Sequence, residues 1–350
     1  MKKTLLATAI AGALGASAAA QAATVYNQDG TQLDIYGNIQ IAYKNVKNER
    51  GNFEDEVFDN GSTIGFSGQH IINPGLTGYF KAEFEHQADE EKSNGGINDG
   101  DQAYLGLKGN FGDARLGSWD PLMDDWIADP ISNNEYFDVS DSSGAALDPF
   151  NGDESIYGTD DREGDKFQYM SPVWAGLQFA VGSQYKGDAE EENIRNDSNA
   201  SFYTGLKYAV GAFSIAGVYD DLDNYDGQYA NGETYESGDQ YGITAQYTID
   251  ALRLAAKAER FDSEQGDADA DFYALGARYG YGFGDVYGAY QYIKTDDGSE
   301  YLNGDDTANE IVGGVTYNIS PAMYTFIEGA LRDRNEDEGD GVAVGAVYSF

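Results

Sequence analysis

The chain has no cysteine, which removes disulfides, thiolate metal centres and cysteine nucleophiles from consideration. Proline is scarce, at 6 residues in 350, so long segments are free of the residue that interrupts sheet ladders. The 2 histidines, His70 and His86, lie far apart in sequence and read as strand-end residues rather than as a metal or catalytic pair. Positive charge is also short, with 21 Lys and Arg against 61 Asp and Glu and a formal net charge of −40. Phosphate backbones need clustered cations, so nucleic acid is excluded as a partner. The acidic surplus favours cations, by enrichment at the surface and by selection in any pore. Beyond Ala22 no apolar run approaches the roughly 18 residues of a membrane helix, and mean hydropathy is −0.53.

Catalytic strings are missing as well: neither a Gly-x-Ser-x-Gly elbow nor a His-Glu-x-x-His helix occurs. Two calcium-like strings fail in detail. Asp267-Ala268-Asp269-Ala270-Asp271 lacks the glycine that should follow, and Asp333-Arg334-Asn335-Glu336-Asp337 has Glu338 there and Val344 where a bidentate Glu should close the loop. The expectation is a chain with no enzymatic activity, no catalytic residues, no cofactor and no metal site.

What is present is alternation. After Gly176, Leu177, Phe179, Val181 and Tyr185 form one set, and Gln178, Ala180, Gly182, Gln184 and Lys186 the other. Tyr241, Ile243, Ala245, Tyr247 and Ile249 alternate in the same way with Gln240, Gly242, Thr244, Gln246 and Thr248. Successive strand side chains point to opposite faces, so the sheet has an apolar side and a wet side. The 45 glycines, 27 tyrosines and 17 phenylalanines suit tight turns and membrane interfaces. An all-β, antiparallel transmembrane β-barrel follows, because closure leaves no unpaired backbone edge in lipid. Lys2 and Lys3, the apolar run 5–20 and Ala20-Gln21-Ala22 read as a cleaved secretory signal over 1–22, with the barrel domain at 23–350.

Sixteen strands are predicted, an even number as bacterial barrels have, at 32–46, 57–71, 76–88, 101–109, 113–119, 161–171, 176–186, 200–210, 212–222, 239–249, 251–262, 270–280, 285–295, 308–318, 322–334 and 341–350. Short turns (72–75, 110–112, 172–175, 319–321) alternate with long acidic loops (89–100, 187–199, 223–238, 296–307, 335–340). The connection 120–160 is far longer and loses the two-residue period. Its Trp126, Ile127, Ile131, Tyr136, Phe137, Leu147 and Phe150 give it something to bury, and the lumen is where a barrel of this size has space.

The segments Val25-Tyr26-Asn27-Gln28-Asp29-Gly30, Leu33-Asp34-Ile35-Tyr36-Gly37, Asn73-Pro74-Gly75-Leu76-Thr77-Gly78-Tyr79, Tyr104-Leu105-Gly106-Leu107-Lys108 and Val347-Tyr348-Ser349-Phe350 carry a resemblance. Over essentially the whole mature chain, the sequence resembles the general diffusion porins of the Gram-negative gammaproteobacterial outer membrane. The resemblance implies a sixteen-stranded homotrimer in outer-membrane lipid and lipopolysaccharide, one water-filled pore per subunit, passing small hydrophilic solutes and cations. Tyr348 and Phe350 resemble the signal read by the barrel-assembly machinery, and 89–100 falls where the family latches onto a neighbour. The third outside loop narrows the family's pore, which points to Glu135 and Asp138, with Asp124, Asp125, Asp129 and Asp141, as constriction acids.

The family's opposing basic wall departs here: Asn38, Thr63, the neighbourhood of Ser118, and Met170 occupy its positions, and none is basic. Strand parity instead puts Lys44, Lys81, Lys108, Arg115 and Lys166 on the lumen side. Lys81 with Glu83 and Glu85, and Lys257 with Glu259, share that parity, either lining the pore or pairing within it. The expectation is a cation-preferring diffusion channel narrowed by 120–160. Two alternatives are a substrate-selective channel, which should carry an aromatic slide, and a structural or adhesive surface barrel acting through its acidic loops.

Overall fold

The computed structural model describes residues 22–90, 97–132, 134–142, 164–189, 198–228, 234–264, 269–296 and 304–350; the expected signal segment lies, apart from Ala22, outside them. β1 (Ala23–Gln28) turns through Asp29-Gly30 into β2 (Thr31–Lys47), the strand on which the barrel closes. On one side of β2, β20 (Gly341–Ser349) pairs from Val46↔Gly341 to Asn38↔Ser349, and β1 continues that line from Ala23↔Ile35. Phe350 extends the joint, its N–H and C=O both bonded to the backbone of Gly37 (2.9 and 3.0 Å). On the other side β3 (Phe53–Asp59) and β4 (Thr63–Asn73) lie end to end.

Then follow β5 (Leu76–His86), β6 (Ile97–Gly109), β7 (Gly112–Ser118), β8 (Lys166–Met170), β9 (Leu177–Lys186), β10 (Asn199–Val210) and β11 (Phe213–Asp221). After a two-residue ribbon, β12 (Gly227–Gln228) with β13 (Thr234–Tyr235), come β14 (Gly238–Ile249), β15 (Leu252–Ser263), β16 (Ala270–Gly280), β17 (Asp285–Thr295), β18 (Thr307–Ser320) and β19 (Met323–Arg332), which meets β20. The sheet contains eighteen hydrogen-bonded segments; β1 with β20 and β3 with β4 each form one stave, giving a closed antiparallel barrel of sixteen. Closure removes the free sheet edges that neither lipid nor another chain should meet.

The two-residue period becomes two environments. On β10 Phe202, Leu206 and Tyr208 face out while Ser201 and Tyr203 are buried inside; on β18 Ile311, Val315 and Tyr317 face out while Glu310, Val312 and Thr316 are buried. No described helix is long and apolar enough to cross a membrane, so the crossing elements are strands.

The strands match the predicted periods closely; β6 begins at Ile97, inside the expected loop 89–100, and three further departures stand out. β1 is too short to show a period on its own. The expected strand 57–71 is broken at Asn60-Gly61-Ser62, where the Asp59 carboxylate accepts from the Gly61 and Ser62 N–H groups (2.9 and 2.7 Å) and Ser62 Oγ accepts from Gln40 N–H (2.9 Å). Side chains there replace ladder partners, as at a bulge. In the expected strand 161–171, regular pairing runs only over β8, and 161–163 lie outside the described residues.

Leu275, at the middle of β16, is 62% exposed on the outer face. Leu275→Arg is expected to destabilise the barrel in lipid by roughly 2–4 kcal/mol. Reversible urea unfolding in vesicles measures that loss.

Candidate functional site

After β7 the chain leaves the wall and turns into the lumen. Trp119, Leu122, Met123, Trp126, Ile127 and Ile131 are all buried. A π-turn (Asp124–Ala128) runs into an α-turn (Asp129–Ser132), so Met123, Ile127 and Ile131, four residues apart, share one face. That face lies on the inner wall. At Gly205 a Cβ atom would lie 2.8 Å from Leu122 and 2.9 Å from Trp126, and at Gly242 it would lie 2.6 Å from Ile127, so both positions need the absence of a side chain. Thr244 Oγ1 donates to the Ile127 carbonyl at 2.6 Å, satisfying an acceptor that the helical turns leave open.

Between Asn134 and Ser142, the described part of the loop beyond the helical turns, there is no regular secondary structure, and its amides need partners from elsewhere. Three buried glutamates of the wall supply them. Glu328 on β19 accepts from the N–H groups of Glu135, Tyr136 and Phe137 (3.2, 2.9 and 2.6 Å) and from Tyr287 Oη (2.6 Å). Glu310 on β18 accepts from Ser140 N and Oγ (2.7 and 2.8 Å) and from Arg334 (2.9 Å). Glu259 on β15 accepts from Ser142 N (2.9 Å) and Ser142 Oγ, and pairs with Lys257 at 2.9 Å. Each carboxylate is desolvated, and each has most of its lone-pair sites filled by donors, the condition under which a buried charge is tolerated. Further ties come from Lys257 and Gln291 to the Ser140 carbonyl, from Gln240 to that of Ser142, from Arg332 to that of Asp138, and from Asn60, in the β3–β4 break, to that of Glu135 (2.7 Å). The loop is therefore anchored on strands that run from β10 around to β3.

The six loop acids are not equivalent. Asp125 and Asp138 have exposed surfaces, while Asp124, Asp129 and Asp141 are half-buried. Glu135 is turned to the wall, its carboxylate accepting from Tyr324 Oη (2.8 Å) and lying 3.9 Å from Arg278. Restricted hydration inside the barrel pushes Asp125 up to about 6, with Asp120 adding to the shift while Arg115, Lys166 and Lys207 oppose it. The same cause pushes Asp138 up to about 7, with Glu328, Asp141 and Asp129 adding to it. Water in the pore reaches Asp138, but the enclosing wall hydrates its charge less well than bulk solvent would.

The five expected basic residues do not form one cluster. Lys44 is 3.2 Å from Glu56 and faces the rings of Phe58 and Tyr136. Lys81 is 3.3 Å from Glu83. Lys108 stands over Tyr79 near the short-turn rim. Arg115 and Lys166 converge on Trp119: the Arg115 guanidinium is 4.2 Å from its ring centre, and Lys166 Nζ donates to its carbonyl at 2.8 Å.

Several functional positions were missed in the sequence. The anchors Glu310 and Glu328 have inward parity but were not singled out; Glu259 was, and it does pair with Lys257, but nothing in the pattern marks any of the three as a loop acceptor. Arg253, Arg278, Arg332, Arg334 and Lys207 also approach the loop. An inward aromatic run, Tyr79, Tyr104 and Trp119, with ring centres 6.2 and 5.9 Å apart, was not singled out in the sequence. Tyr79 and Tyr104 do have inward parity, and scoring aromatics by face would have found them.

Glu328→Gln is expected to loosen 135–137, since a neutral amide cannot accept from three backbone N–H groups and Tyr287 as a carboxylate does. The loss should be roughly 2–4 kcal/mol of loop docking, from weakened charge-assisted bonds and stranded donors. Larger and noisier single-channel conductance, with faster proteolysis of the loop in a barrel that still resists SDS at room temperature, would register it.

Comparison with known proteins agrees with this architecture. The Gram-negative porin family model matches residues 7–338. A monosaccharide porin of a Halomonas species is 54% identical over the full length of both chains. Among solved structures, the Salmonella typhi OmpF complex with daunomycin superposes with a TM-score of 0.71 at 22% identity, over 94% of this chain and 100% of that one. An anion-selective porin from Comamonas acidovorans gives 0.73 at 19% identity, over 91% and 100%. With the inward loop and closed barrel already established, the family match over nearly the whole chain leads to one conclusion: this chain belongs to the Gram-negative porin family and is a passive β-barrel channel of the outer membrane.

Proposed function

We propose that the channel is a homotrimeric, cation-preferring diffusion pore for small hydrophilic solutes of monosaccharide size, narrowed by the loop that follows β7. The observation that carries this reading is the difference between how acids and bases are held in the lumen. Most of the bases are neutralised or occupied: Lys44 by Glu56, Lys81 by Glu83, Lys257 by Glu259, Arg334 by Glu310, and Arg115 stacked on Trp119. Asp125 and Asp138, by contrast, keep exposed surface inside the barrel, with Arg115, Lys166 and Lys207 acting on Asp125 from their own sites and the Asn134 N–H donating to Asp138. A unit charge about 8 Å from a passing ion in a water-like medium is worth about 0.5 kcal/mol, so each favours a cation by a factor of roughly two and disfavours an anion by about the same factor.

The size limit follows from the loop itself, since its docked chain occupies part of the lumen whatever its charge. The name of the Halomonas relative, which is 54% identical, supports monosaccharides as a solute class. The half-buried faces of Tyr79 and Tyr104 add apolar surface of the kind that lines solute sites. Cleavage of the segment 1–22, delivery by the barrel-assembly machinery through Tyr348 and Phe350, and a boundary of outer-membrane lipid and lipopolysaccharide complete the reading. The outward aromatics of β16, β18 and β20 suit that interface.

The test is planar-bilayer recording under a KCl gradient. The expected result is conductance in steps of three, with a reversal potential on the cation side at pH 8. Because the shifted acids hold protons at higher pH than ordinary carboxylates, cation preference should decline as pH falls from 8 through 7 and 6. Ordinary carboxylates would lose it only below about 5. Asp125→Asn combined with Asp138→Asn should lower the cation-to-anion permeability ratio at pH 8 by roughly sixteenfold, about four for each charge, and flatten the pH dependence. An anion-side reversal potential at pH 8 would contradict the selectivity.

A further inference from the structure

The register of β15 and β16 sets Arg253 directly opposite Arg278, both with inward parity. Like charges in that relation are unfavourable, and the chain has only 21 basic residues for this pair to draw on. Arg278 is held in place. Its guanidinium is 4.3 Å from the Tyr287 ring centre and 3.9 Å from Glu135, and Tyr287 is itself fixed by its hydrogen bond to Glu328. Arg253 has no carboxylate within ion-pairing distance among the described residues; Asp129 and Asp285 act on it only from farther away. A small recess is lined by Arg253, Arg278 and Tyr287 of the wall and by Pro130, Ile131 and Asn134 of the loop, with Ile131 packed over Gly276. Because Arg253 follows the turn at Asp250-Ala251 and Arg278 precedes the turn after Gly280, the recess faces the short-turn rim, on the far side of the loop from Asp138.

We propose that this recess is a binding subsite for the carboxylate of a small organic solute, held by the Arg253 and Arg278 guanidinium groups, with the solute body left in the lumen beside Pro130. Two planar donor forks on one wall match a carboxylate's two oxygens, and the apolar edge separates such a solute from a bare inorganic anion. The subsite gives an otherwise acidic lumen one station where a sugar acid or similar small acid is stabilised on its way through. It rests on the reading of the lumen as the solute path and extends it to anionic solutes.

The experiment compares glucose with glucuronate, which differ in the oxidation of one terminal carbon to a carboxylate, on the reconstituted channel in KCl. Wild-type channels should show concentration-dependent partial blockade of the ion current by glucuronate and none by glucose. Arg253→Gln should raise the half-blocking concentration roughly tenfold, as expected for the loss of a charge-assisted hydrogen bond at a partly wet site. Arg253→Lys, which keeps the charge and loses the fork, should fall between. Loss of this lumen cation is itself expected to alter the basal ion current, so each variant's half-blocking concentration is read against its own sugar-free conductance, and strand content by circular dichroism confirms an intact barrel; Arg278→Gln, which also touches Glu135 and Tyr287, is the secondary variant. Equal blockade in wild type and Arg253→Gln, or none in a conducting wild type, would overturn the subsite. A folded protein that conducts no ions would overturn the channel reading beneath it, a separately readable failure.

Discussion

The narrowed lumen depends on three desolvated carboxylates, Glu259, Glu310 and Glu328, that accept hydrogen bonds from a loop with no internal ladder of its own over 135–142. An irregular segment inside a barrel has no neighbouring strand to pair with and limited access to water, so its N–H groups would otherwise be left without partners. The wall strands solve this by pointing acids inward at the height where the loop passes. Lys257 and Arg334 then offset charges that could not be buried alone. Glu259 and Glu310 are thus both anchors and counter-charges, while Glu328 is satisfied by N–H and O–H donors alone. Removing Glu259 or Glu310 strands loop amides and unbalances a cation at the same time.

Closure makes that arrangement possible. β2 is paired along both sides, by β1 and β20 on one and by β3 and β4 on the other, so chain start and chain end share a single joint. The interior is then a fixed cylinder rather than a flexible sheet face, and residues from β10, β14, β15, β18 and β19 can hold one loop in register. The break between β3 and β4 belongs to the same design, because the Asn60 side chain reaches the Glu135 carbonyl from across the β2–β20 joint. Charge follows architecture: acids consumed by the loop lie on the wall, and acids left for passing ions lie on the loop.

The sequence made the barrel legible because lipid imposes a strict two-residue period on every staved segment. β16 and β17 could be read to the residue, at Ala270–Gly280 and Asp285–Thr295. Where side chains replace backbone partners, as at Asp59 and Ser62, the period gives no warning, and one expected strand became two. The inward path of 120–160 could be read from its apolar content, yet its docking could not: Glu328 and Glu135 are both acids in the sequence, and only the fold shows that one receives the loop while the other turns to Tyr324. The basic residues followed the same rule. Parity placed Lys44, Lys81, Lys108, Arg115 and Lys166 inward, while their partners, an acid for two of them and Trp119 for two more, depend on neighbours across strands that no single-strand pattern encodes.

Amide hydrogen exchange of the reconstituted channel tests the central claim most directly. If wall carboxylates hold the loop, the N–H groups of Glu135, Tyr136, Phe137, Ser140 and Ser142 exchange orders of magnitude more slowly than free-chain amides, and Glu328→Gln selectively releases the first three. Exchange of all five at free-chain rates in an intact barrel would contradict the account, because the loop would then not be docked on the wall.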